Sequence, residues 1–224
     1  MAIVREVAYP AGTTPSTILA TIEDMYEWEK IETTDEGIKL WVNDRTYLLI
    51  MQGTYSVGLE LYFNGNLVGT KMGDHNTSGN KYNSIYVVKT NVATTIQFTS
   101  SSDSKNTPSE SSAAFIFSNG TNRQTGEIEK LASAIASVAF GGAVYTFICS
   151  KENVAANCSL DDGPSTRKGA LLTTLTPFAS MRSRVTLNDV YLVSLAQVTS
   201  MYRGECTLNG RKYFMVGLIM ILDE

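Results

Sequence analysis

Two Asn-Gly pairs, Asn64-Gly65 and Asn209-Gly210, each stand between short runs of apolar and β-branched residues. Such a pair supplies consecutive positive φ angles at little steric cost, which a tight turn between antiparallel strands requires. Leu59–Thr70 and Tyr202–Gly217 are therefore expected to be hairpins, one in each half of the chain. A chain with a hairpin in each half is constrained to build antiparallel sheet on both sides of its midpoint.

The hydrophobic period supports this. Ile38, Leu40 and Val42 alternate with Lys39, Trp41 and Asn43, as in a half-buried strand. Asn43-Asp44 is expected to turn the chain into a returning strand, Thr46–Met51. Further strands are expected at Ser84–Thr90, Thr94–Ser100 and Ala113–Ser118. In the second half they are expected at Ala143–Cys149, Ala170–Thr176, Arg184–Leu187, Val190–Ala196 and Leu218–Leu222. Ile128–Phe140 is apolar and alanine-rich, and its pattern fits a helix or a strand equally. One helix is expected near the start. Thr14 is placed to cap it, Pro15 occupies its first position, and Ile18, Leu19, Ile22, Met25 and Tyr26 form its apolar face. Its end is expected near Trp28–Lys30.

Polar stretches divide these elements. Residues 73–83 and 151–169 read as loops, and residues 100–112, rich in serine, read as a mobile loop inside the first domain. The polar, turn-rich stretch 118–126 is the expected domain boundary. The expected fold class is thus α+β, mainly antiparallel β. A helix plus β-sheet domain over 1–122 is followed by a β-sandwich-like domain over 123–224.

Composition narrows the function. The chain carries 18 basic and 22 acidic side chains, a net charge of −4. Residues 1–125 hold 9 basic and 13 acidic groups, and residues 126–224 hold 9 of each. Neither half has the basic excess that a phosphate backbone attracts, so no nucleic-acid partner is expected. No run approaches the length of a membrane span, and no secretory signal is read at the N-terminus. Cys149, Cys158 and Cys206 lack metal-ligand spacing and are expected to be reduced thiols. The Asn-x-Ser/Thr triplets at Asn76, Asn119 and Asn157 are expected to be chance matches in a chain rich in Asn and Thr.

Catalytic chemistry is thinly represented. The single histidine, His75, falls in a polar loop with no evident orienting partner. Asp74-His75-Asn76 are consecutive, which suits a solvated loop better than a metal site. Asp161-Asp162-Gly163 lacks the alternating ligands and closing glutamate of a calcium loop and reads as a turn. The acidic residues between Glu23 and Glu36 read as a solvated face. No phosphate-binding glycine loop is present. No catalytic residue, cofactor or metal is therefore expected. The residue singled out is Trp41. Its alternation with apolar neighbours places it on the outer face of its strand, as a contact surface or a platform for a ligand. Trp28 is expected in the core, and Tyr47, Tyr55, Tyr62, Tyr82 and Tyr86 are accounted for by strand propensity.

The order of pieces resembles the virion proteins of tailed bacteriophages. The opening resemblance lies in TTPSTILATIEDMYEWEKI and GIKLWVNDRTYLLI, a short helix ending in a Trp-containing turn that leads into strands. The closing resemblance lies at Pro177, Asn188, Val190, Tyr191, Tyr202, Gly204, Asn209, Gly210 and Tyr213. It touches about half of the chain and carries no catalytic signature, so it transfers no functional residue. It implies a structural subunit of the tail, baseplate, neck or capsid surface, assembled in the host cytoplasm with copies of itself and other virion proteins. The arm Met1–Thr13 and the loop 100–112 are the segments expected to become ordered only against neighbours. Two other readings stay open: a carbohydrate- or receptor-binding module for a cell-surface glycan, and, with less support, a hydrolase using carboxylates.

Overall fold

The structure, a computed structural model, describes residues 1–10, 12–53, 57–72, 84–99, 113–122, 124–137, 144–149, 154–160, 173–174, 185–192, 203–208, 210–216 and 219–224. The loops expected at 73–83 and 100–112, with His75, lie outside these residues, as does Asp161-Asp162-Gly163. Among the described residues the chain is mainly antiparallel β with one short α-helix. In order come β1 (Ile3–Ala8), α1 (Pro15–Ile22), a 3-10 turn (Glu23–Met25), β2 (Lys30–Thr34), β3 (Gly37–Trp41), β4 (Thr46–Gln52), β5 (Val57–Phe63), β6 (Asn66–Met72), β7 (Ser84–Lys89), β8 (Ala93–Thr99), β9 (Ala113–Asn122) and β10 (Ile128–Ser137). Then follow β11 (Val144–Cys149), β12 (Val154–Leu160), β13 (Thr173–Thr174), β14 (Val185–Leu187), β15 (Val190–Leu192), β16 (Arg203–Leu208), β17 (Arg211–Val216) and β18 (Ile219–Leu222).

These strands form three sheets. The central one has eight strands in the order β1-β7-β8-β9-β10-β11-β12, with β14 paired to the far end of β9. A second sheet is the meander β2-β3-β4-β5-β6, and a third runs β13-β15-β18-β17-β16. Two separate cores show how they stack. Ile85, Val87, Ile96, Phe115, Phe117, Ala132 and Ala134 of the central sheet join α1 and the inner face of the second sheet in one core. Their neighbours in sequence, Tyr86, Val88, Ile116 and Leu131, join Val190, Phe214, Val216 and Ile221 of the third sheet in the other. The central sheet is thus buried on both faces, a filling between two outer layers. A strand buried on both faces has no reason to alternate. That explains why Ile128–Phe140 fits helix and strand equally in sequence, whereas residues 128–137 form β10.

Several expectations are corrected. The helix stops at Ile22 and the 3-10 turn at Met25, before the expected Trp28. The carbonyls there are satisfied from outside the helix. Thr94 Oγ1 donates to Met25 O, Lys89 Nζ to Asp24 O at 3.1 Å and Lys130 Nζ to Glu27 O at 2.8 Å. The polar stretch 119–122 is the end of β9, and residues 124–127 turn the chain into β10. Asn122 organises that turn, its Oδ1 accepting from Gln124 N and its Nδ2 donating to Glu129. The expected domain boundary therefore falls inside a hairpin, and the central sheet draws strands from both sides of it. Within the expected loop 151–169, residues 154–160 are the edge strand β12, whose backbone pairs with β11 without an alternating pattern to announce it.

The arm Met1–Thr13 is also not free, since β1 pairs with β7 from Ile3↔Lys89 to Ala8↔Ser84. Arg5 anchors it, donating from Nη2 to Asp24 Oδ2 at 2.6 Å and from Nη1 to Thr21 O at 2.9 Å. This hydrogen bond holds the Asp24 carboxyl below its ordinary value of 3.8. A carboxyl with a depressed folded pKa gives its full contribution above that ordinary value and loses it as pH falls through the lowered one. Amide exchange in β1 should therefore accelerate, relative to β9, as pH drops below 3.8. Asp24→Asn should abolish that acid dependence, and equal acid dependence in both proteins would refute the anchor.

Candidate functional site

Trp41 ends β3 on the second sheet, and the register shows what surrounds it. Trp41 lies opposite Lys30 on β2 and Tyr47 on β4, and Tyr47 lies opposite Tyr62 on β5. Directly opposed residues share a face. Ile38 and Leu40, of the other parity, are in the core. One row on the outward face thus reads Lys30, Trp41, Tyr47, Tyr62 and, across a bulge, Leu67. The parity inferred from sequence places Trp41 beside Lys39 on this face. Asn43, used in the same inference, instead turns inward. It is buried, its Nδ2 donates to Lys130 O at 3.0 Å, and its Oδ1 accepts from Arg45 N and Thr46 N.

The rings form a ladder. The centroids of Trp41 and Tyr47 are 4.6 Å apart at 50°, and those of Tyr47 and Tyr62 are 5.0 Å apart at 8°, a stacked pair. Lys39 Nζ sits 5.2 Å from the Tyr47 centroid and 3.1 Å from Glu36. Carboxylates hold both ends of the ladder. Trp41 Nε1 donates to Glu32 Oε2 at 3.1 Å, and the Tyr62 hydroxyl donates to Glu60 Oε2 at 2.8 Å. Hydrogen bonding to Glu60, with burial second, pushes the Tyr62 hydroxyl up to about 12, so it remains a donor at neutral pH. Glu32 is held below its ordinary range by Lys30 first and Trp41 second.

This geometry bears on what the face can do. A ring that stacks on a sugar needs an open face. Tyr47 is buried and gives a face to Tyr62, which leaves Trp41, half-buried, as the ring of the row with surface to offer beside Tyr62. Asp24, Glu32 and Glu224 are held low by Arg5, Lys30 and Arg211 respectively, which suits ion pairing rather than proton donation. Trp41→Ala should lower stability by about 2 kcal/mol, because it removes a ring contact and strands the Glu32 hydrogen bond. Urea unfolding measures this, and an unchanged midpoint would show that the ladder is not cohesive.

The remaining residues singled out in sequence sort quickly. Trp28 packs on the first core, as expected, with Nε1 donating to Ile22 O at 3.3 Å and its ring centroid 5.0 Å from that of Phe117. Cys149 is buried, and burial pushes its thiol up to about 12, which leaves it protonated and unreactive. Cys158 and Cys206 lie on β12 and β16. The acidic residues between Glu23 and Glu36 do not converge: Asp24 pairs with Arg5, Glu27 with Lys130, Glu32 with Lys30 and Glu36 with Lys39. Among the described residues no three His, Cys, Asp or Glu side chains gather as a metal site, and no helix is long and apolar enough to cross a membrane.

Tyr47 and Tyr62 are the members of the row that sequence reasoning missed. The signal was available in the turn lengths, since the short β3–β4 turn forces Tyr47 opposite Trp41. No family model, no curated protein and no solved structure matches this chain.

Proposed function

We propose that this chain is a structural subunit of a bacteriophage particle, acting through self-assembly and contacts with other virion proteins rather than through catalysis. The resemblance of its helix–turn–strand opening and its C-terminal strand pattern to tailed-phage virion proteins supports this reading. The observation that carries it is where the apolar surface lies. Among the described residues the exposed large hydrophobics include Ile3 and Val4 at 49% and 43% exposure, Ile31 at 42% and Leu67 at 50%. These four sit on edge strands, β1 of the central sheet and β2 and β6 of the second, whereas Ile128, at 70%, opens the interior strand β10 just after its hairpin turn. Natural sheets defend their edges with charge, proline or cover, because an open apolar edge recruits another strand. Exposed apolar residues at three edges suit a subunit whose edges are covered by neighbours.

Sedimentation velocity across a range of concentrations tests the proposal. Species heavier than the 24.4 kDa chain should grow with concentration. A single 24.4 kDa species throughout would contradict self-assembly, and a glycan screen for the Trp41 face would then follow.

A further inference from the structure

We propose that β1 of one copy pairs antiparallel with β1 of a second copy across a two-fold axis centred on Val4, joining two central sheets edge to edge. The proposal rests on the assembly reading above and names one edge and one register for it.

In the strand order, β1 is terminal, with β7 on one side only. Its pairing to β7 runs without a bulge over all six residues, and it contains neither lysine nor proline. Its two charged side chains each hold a partner on their own chain. Arg5 is bound to Asp24 and Thr21 O, and Glu6 Oε1 accepts from Ser84 Oγ at 3.3 Å. Exposed at the edge are the apolar Ile3 and Val4, each more than two-fifths exposed, together with Glu6. A row of edge amides and carbonyls is completed by a strand, not by a helix or a small ligand.

The register follows from parity. Ile3, Arg5 and Val7 lie opposite Lys89, Val87 and Ile85, and Val87 and Ile85 face the second sheet. Val4 and Glu6 lie opposite Val88 and Tyr86, which face the third sheet. A two-fold axis normal to the sheet preserves these faces, so each residue can oppose only one of its own parity. Centring on Arg5 would set two guanidinium groups against each other, and centring on Glu6 would oppose two carboxylates. Like charges directly opposed are destabilising. Centring on Val4 opposes Val4 to its own copy, Ile3 to Arg5 and Ala2 to Glu6. No like charges meet, and both exposed apolar side chains are covered. Centring on Ile3 would also avoid like charges, but it overlaps residues 1–5 rather than 1–7. The Val4-centred register, the longer of the two, is self-complementary, as an isologous contact requires, and this selects a second copy of this chain as the partner.

Cysteine scanning under mild oxidation tests this. Opposed residues in an antiparallel pair have Cα atoms about 4.5–5.5 Å apart, within disulfide range. Val4→Cys should therefore form a reducible dimer, while Ile3→Cys and Glu6→Cys, each offset from its own copy, should crosslink no more than the unaltered chain. As a second arm, Val4→Lys should raise the dimer Kd about tenfold or more, with the far-UV circular dichroism of the native chain unchanged because Val4 is exposed. If the chain self-associates but Val4→Cys crosslinks no better than its neighbours, this interface is wrong while the assembly reading stands. If every protein remains a monomer, both are wrong.

Discussion

Gly37→Ala is expected to lower the free energy of unfolding by about 4 kcal/mol, summing backbone strain and overpacking. Gly37 opens β3 directly after the turn from β2, with φ at +144°, where L residues rarely sit. A Cβ built there would lie 2.1 Å from the carbonyl oxygen of Ile50 on β4 and 3.0 Å from its carbonyl carbon. Both contacts are to backbone at the middle of the second sheet, so no side chain can swing aside. Relief requires the β3–β4 ladder to part near Gly37↔Met51 and Ile38↔Ile50. Urea unfolding followed by far-UV circular dichroism should show the shift. A change below about 0.5 kcal/mol, the range of ordinary surface substitutions, would show that this backbone approach is not as close as described.

Phe117→Ala is expected to cost a similar amount, about 3–5 kcal/mol, by a different route. Phe117 is fully buried on β9, a strand in the interior of the central sheet. Its ring lies 5.0 Å from Trp28 and 5.6 Å from Tyr26, centroid to centroid, so removing it opens a cavity beneath the turn that follows the helix. Trp28 is a built-in reporter there, and its emission should move to longer wavelength in native conditions. The other tryptophan, Trp41, contacts Tyr47 on the outward face and should not respond. A full loss of stability with no change in emission would mean that the cavity collapses away from Trp28.

These two positions also show what sequence could and could not reveal. The second sheet was legible almost strand by strand, because it is solvated on one face. Its alternation marks Ile38 and Leu40 as inward, and Asn64-Gly65, with φ of +49° and +75°, turns β5 into β6 as anticipated. The central sheet was harder. Phe115, Ile116 and Phe117 are all buried, two against one layer and one against the other, so the run gives no period to read. Position 118–126 misled for a related reason. Two polar residues there find partners elsewhere in the chain, Asn122 on Glu129 and Thr121 on Asn188, and a polar strand of this kind looks like a linker in sequence. β1 lies in the arm Met1–Thr13, expected to become ordered only against neighbours, whereas it pairs with β7 and its Arg5 reaches Asp24, nineteen positions along the chain.

The candidate face was legible at one residue. Trp41 could be placed outward from its own strand, but its partners come from β4 and β5. Stacking of Tyr47 on Tyr62 depends on a register that propensity does not encode. The Gly37 contact is likewise a pairing of strands, visible only once Ile50 lies opposite Ile38.

The claim that open apolar edges make this chain an assembly subunit is tested most directly by light scattering after size exclusion. The unaltered chain is compared with one carrying Val4→Lys, Ile31→Lys and Leu67→Lys together. All three side chains are exposed, so the fold should be retained, as far-UV circular dichroism checks. The unaltered chain should elute as an oligomer whose mass rises with concentration, and the triple variant as a 24.4 kDa monomer. Equal masses for the two proteins at every concentration would contradict the account.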